Sequence, residues 1–109
     1  MISKSKRTLE KYMEAGAKIR LLKQVLSEAY CEASGLLYAK DSDRFYKATK
    51  TIEELSSILE NNMFNDLKLC GNEYIDVFFG STRTYRYNDI DKKMRELITD
   101  VLKSYMPKE

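Results

Sequence analysis

Residues 67–87 read LKLCGNEYIDVFFGSTRTYRY, and the class of the fold turns on whether this stretch is sheet or helix. Three short runs, Leu67 to Cys70, Glu73 to Phe79 and Thr82 to Tyr87, are separated by Gly71-Asn72 and Gly80-Ser81. Two-residue loops with glycine first suit type II′ hairpin turns, so the spacing predicts a three-stranded antiparallel β-meander over 66–87. Pairing about Gly80-Ser81 puts Ile75, Val77 and Phe79 on a core face. Tyr74, Asp76 and Phe78 then share an exposed face with Arg83, Tyr85 and Tyr87. The rival reading makes Glu73 to Phe79 a short helix ended by Gly80, giving an all-α four-helix bundle with no sheet.

On the N-terminal side of this stretch, Tyr12, Ala15, Ile19, Leu22, Leu26, Ala29, Ala33 and Leu36 recur at alternating steps of three and four. That is the seam of a long helix packed on another helix, predicted from about Lys6 to Ala39, with Gly16 and Gly35 as weak points. Asp41, Ser42 and Asp43 can cap a second helix whose apolar positions are Phe45, Ala48, Ile52, Leu55 and Leu59. Folding back near Lys40 and Asp41 sets Leu36 against Phe45 and Leu22 against Leu59, a long antiparallel helical hairpin over 6–61. The second helix is expected to end at Asn61 and Asn62, which leaves an overhang on the first of about 14 residues, or roughly 20 Å. On the C-terminal side, Asn88, Asp89 and Asp91 suit a helix start, and Ile90, Met94, Leu97, Ile98, Val101 and Tyr105 fall on one face. A C-terminal amphipathic helix over 89–106 follows. The expected fold class is therefore α+β, in a single domain over 1–109, a length that leaves little room for a second core.

The chain has no histidine, which removes Ser/His/Asp and Cys/His catalysis and histidine-containing zinc sites. Cys31 and Cys70 lack the spacing of a redox or metal pair, so a reducing, cytoplasmic setting is expected. No apolar run approaches the roughly 20 residues that cross a bilayer, and no membrane partner is expected. Glu28 and Glu32, with Glu53 brought near by the hairpin, are the one arrangement resembling a magnesium site. They read better as a solvated helix face, and neither a metal nor a cofactor is expected.

The net charge of +2 hides an asymmetry: residues 1–23 hold seven Lys/Arg against two Glu, and residues 51–79 hold one Lys against six acids. The hairpin lays the basic part of the first helix beside the acidic end of the second. Lys4, Lys6, Arg7 and Lys11 sit on the overhang and are expected to escape neutralisation. Arg83, Tyr85, Arg86 and Tyr87 interleave arginine with aromatic rings, a pattern of interface anchors. These features point to a non-enzymatic macromolecule-binding protein with a protein partner, an adaptor, regulator or inhibitor. Arg83, Tyr85, Arg86 and Tyr87 would anchor the contact, and Lys4, Lys6, Arg7 and Lys11 would steer it. The alternative is nucleic-acid binding through the basic helix and the Arg/Tyr run, which a sequence pI near 8.5 favours less. The overhang also motivates a homodimer.

Overall fold

The computed structural model describes residues 6–69, 71–79 and 88–106. Helix α1 spans Leu9–Ser34, α2 spans Ala39–Leu67, a 3-10 turn covers Asn72–Ile75, α3 is Asp76–Phe79, and α4 is Asp89–Ser104. Among the described residues there is no strand, so the expected α+β class and the 66–87 meander are overturned, and the fold is all-helical. Leu67 closes α2, and Glu73 to Phe79 forms the 3-10 turn and α3, close to the rival reading. The third expected strand, Thr82 to Tyr87, lies outside the described residues.

The physical reason is in consecutive side chains. Asp76, Val77 and Phe78 are all buried, whereas Ile75 and Phe79 are the exposed pair. A strand sends neighbours to opposite faces, and with no second layer one of those faces would be left in water. One helical turn lets Val77 and Phe78 enter the same core. The positive φ that Gly71 supplies (131°) serves the turn into the 3-10 segment rather than a hairpin loop.

Thr8 caps α1, its hydroxyl accepting from the Lys11 N–H at 3.2 Å, and the helix stops at Ser34 with Gly35 in the cap position. The loop falls at Gly35 to Tyr38, not at Lys40 and Asp41, because the glycine that weakens the helix ends it. Tyr38 stands at the N-cap of α2, and its carbonyl takes the Asp41 and Ser42 N–H groups. The earlier turn shifts the register: Tyr30, not Leu36, meets Phe45, ring edge to face at 5.6 Å. Farther along, α2 runs through Asn61 and Asn62 to Leu67. The few tenths of a kcal/mol that asparagine costs a helix are outweighed by about 1.5–3 kcal/mol from burying Met63, which is fully enclosed. Lys68 then takes the left-handed conformation (φ 50°) as the stop.

The longer α2 removes the overhang. Tyr12 and Met13 are buried within one chain, in a core completed by Ala17, Met63, Val77, Phe78, Ile90, Met94 and Ile98. The C-terminal helix falls where it is expected, with the Asn88 side chain accepting from the Asp91 N–H at 2.7 Å. Ile90, Met94 and Ile98 face the core as read, while Tyr105 stays exposed. Among the described residues no helix is long and apolar enough to cross a membrane.

Candidate functional site

Three of the basic residues near the start of the chain, Arg7, Arg20 and Lys23, are engaged within the protein. Arg20 is fully buried: its guanidinium donates to the Asp76 carbonyl at 2.9 Å and lies 3.3 Å from the Asp91 carboxylate, which is equally buried. Arg95 closes on the other Asp91 oxygen at 2.9 Å, and the Asn88 amide donates to the Asp76 carboxylate at 2.8 Å. This network fastens α1, α3 and α4 together. Arg7 pairs with Asp66 at 3.1 Å, and the Tyr12 hydroxyl donates to the same carboxylate. Arg7, expected to stay free, is instead held because α2 reaches far enough to deliver Asp66. The hydrogen bond it donates to Asp66 holds the Arg7 guanidinium above its ordinary value.

Lys23 donates to the Phe78 carbonyl and stands 4.2 Å over the Phe79 ring. Burial pushes its ammonium down against the charges of Glu53 and Glu60, and burial raises Glu60. This juxtaposition is the basic-on-acidic hairpin read from the charge pattern.

Of the other sequence-predicted contact residues, Lys6 and Lys11 are exposed on the described surface. Lys4, Arg83, Tyr85, Arg86 and Tyr87 lie outside the described residues, as does Cys70. Cys31 is a free, exposed thiol. Glu28, Glu32 and Glu53 do not gather: among the described residues, no three His, Cys, Asp or Glu side chains are placed to hold a metal ion.

What sequence reasoning missed is a face of the hairpin. The buried line of α2 is Phe45, Thr49, Ile52, Ser56, Leu59 and Met63, all buried or half-buried, whereas Ala48 and Leu55 of the expected seam are exposed. Thr49 and Ser56 sit inward because each hydroxyl donates to the carbonyl four residues back, at 3.1 and 2.8 Å, and so needs no water. The larger apolar residues are displaced to the flank. A cleft of about 310 Å³ opens between the two helices there, lined by Arg7, Lys11, Tyr12, Ala15, Leu59 and Asn62. Leu22 lies seven residues beyond Ala15, and Ile58 and Leu55 lie four and seven before Asn62, so all three continue that flank along the hairpin. They are 43%, 53% and 46% exposed.

No family model matches the chain, and no curated protein or solved structure proved significantly similar to it.

Proposed function

We propose that this is a small macromolecule-binding protein that works by holding another protein along the outer flank of its helical hairpin. One observation carries the reading. Between Leu21 and Leu55 no residue is buried, yet α1 runs on past Arg20 for about 20 Å with apolar side chains on its flank. Helices with an apolar stripe gain stability by burying it against a further layer, about 1.5–3 kcal/mol for each fully covered leucine or isoleucine. Leu22, Leu55 and Ile58 forgo about half of that, which a partner helix laid on the flank would recover. Exposed Lys11 beside the cleft and Lys18 along the same edge add a cationic rim that suits an acidic-edged partner.

Nucleic-acid binding is the weaker reading, since Arg7 is spent on Asp66 and Arg20 is sealed inside. Arg83, Tyr85, Arg86 and Tyr87 remain proposed as a second set of anchors on the same partner, with Lys4 and Lys6 steering.

Site-specific photo-crosslinking in the native host tests the proposal. A crosslinker at Leu55 or Ile58 is expected to trap one discrete protein, and one at exposed Lys92 on α4 is not. Trapped nucleic acid, or equal yields from Leu55 and Lys92, would count against it. Light scattering at tens of micromolar then shows whether the trapped protein is a second 12.8 kDa copy.

A further inference from the structure

On the other side of the molecule, α1 and α4 diverge to leave an open groove of about 750 Å³. Its floor is apolar: Leu9 and Met13 of α1 and Leu97 of α4. Its walls are acidic, with Glu10 and Glu14 on α1 facing Glu96 and Asp100 on α4, and with Lys93 the one cation in the lining. Each wall is therefore an i,i+4 pair of like charges. All four carboxylates are exposed, and among the described residues none of them takes part in an ion pair.

We infer that this groove docks a cationic amphipathic helix of a partner protein, with apolar side chains on the floor and lysines or arginines against both walls. Within each rank the like charges four apart weaken their own helix, although Glu10 also stands in the first turn of α1, where a negative charge is favoured. A solvated surface would account for four scattered acids. It accounts less well for two acidic ranks facing each other across an apolar floor in a chain whose net charge is positive. A third helix lying between two packed helices is the ordinary way to fill such a groove, and charges at its rim steer the approach and reject acidic helices. The walls cover Thr8 to Glu14 and Lys93 to Asp100, about two helical turns or 10 Å, so the contact is short and reversible. This inference stands apart from the hairpin flank, which lies elsewhere on α1 and has the opposite rim charge.

Fluorescence anisotropy with labelled model peptides of about 14 residues tests it. Three are needed: leucines and lysines patterned at helical spacing, the same composition scrambled, and a leucine–glutamate helix of the same pattern. The patterned cationic helix is expected to bind saturably, at least about tenfold tighter than the scramble, and to weaken about tenfold between low and high salt. The glutamate helix should not bind. Glu14→Lys with Glu96→Lys should remove most of the affinity while leaving the melting temperature in place, because both side chains are exposed. Leu55→Asp, on the hairpin flank, should leave it unchanged. Equal binding by the scramble, indifference to the charge reversals, or no saturation would overturn the inference. Loss of binding on Leu55→Asp alone would move the occupant to the flank instead.

Discussion

At Gly16, α1 passes so close to α3 that a side chain has no room. A Cβ there would stand 2.3 Å from the Val77 carbonyl oxygen and 2.7 Å from a Val77 methyl. In an exposed helix, glycine to alanine gains about 1 kcal/mol. Here the clash is with backbone, and α3 must be pushed off the core. Gly16→Ala should therefore lower stability by about 1–3 kcal/mol, a fall in Tm of roughly 5–15 °C by circular dichroism; a rise would mean that α3 does not pack at this point. Tyr12 makes a second prediction, one that depends on pH. Burial, and then the hydrogen bond to Asp66, raise its phenol above the ordinary value. The folded state thus holds this proton more tightly than the unfolded chain. The resulting stability is complete below the unfolded pKa of about 10 and is lost as pH climbs through the higher folded one. Tyr12→Phe should cost about 1–2 kcal/mol in urea unfolding at pH 7, from the lost hydrogen bond to a charged acceptor. The gap from the parent protein should shrink near pH 11, where the parent would set a phenolate beside a carboxylate. A gap that is constant with pH would show that the phenol does not titrate in contact with Asp66.

Between elements, the junction of α1, α3 and α4 rests on charge as well as on apolar packing. Arg20 and Asp91 are both fully enclosed, so removing either one takes a charge partner from the other in a medium that solvates it poorly, even though Arg95 still reaches Asp91 and the Asp76 carbonyl still reaches Arg20. Asp91→Ala or Arg20→Ala should each cost about 3–5 kcal/mol, whereas Arg20→Met with Asp91→Leu should cost less than either single change. Additive losses in that double-mutant cycle would mean that the two charges are solvated independently. None of this junction was legible from the residues alone. Arg20 reads as one of seven cations near the start of the chain, and its partner lies far off in sequence. A local sign did exist in Met13, Gly16, Ala17 and Arg20, an i, i+3, i+4, i+7 set with two small members that marks a close approach. Helix α4 was legible because its periodicity and its Asn88 cap agree. The hairpin was legible as a hairpin, but its register and its inner face were not. The turn fell at Gly35, and the inward Thr49 and Ser56 satisfy their own hydroxyls, which apolar patterning cannot see. The α3 stretch misled because β-branched and aromatic residues describe a half-buried surface of either kind.

For the whole molecule, the core and the length of the hairpin do not coincide. Among the described residues every buried side chain lies within Tyr12 to Arg20, Ser56 to Met63, Asp76 to Phe78, or Ile90 to Ile98, so one end of the hairpin is packed against α3 and α4 and the other stands as a two-helix arm. A radius of gyration of 15.6 Å, against about 13 Å for a compact chain of this size, is the outward sign of that arm. Cooperative stability follows buried contacts, and the arm has few: the Tyr30–Phe45 ring pair, half-buried Leu26 and Ile52, and a 3.5 Å hydrogen bond from Ser42 to the Ser34 carbonyl near the tip. A pair of helices with so little between them opens locally without unfolding the base. Amide hydrogen exchange should accordingly divide the chain in two. Residues 24–52 should exchange through sub-global opening, protected about a hundredfold or more less than residues 12–20, 59–66 and 90–98, which exchange only on global unfolding. Covering the hairpin flank with its partner should slow exchange at the foot of the arm, around Leu22, Leu55 and Ile58, and leave the base as it was, since the base is already at its ceiling. Uniform protection along both long helices would show the arm to be stabilised by packing that its buried surface does not reveal, and would take away the reason for expecting a protein on that flank.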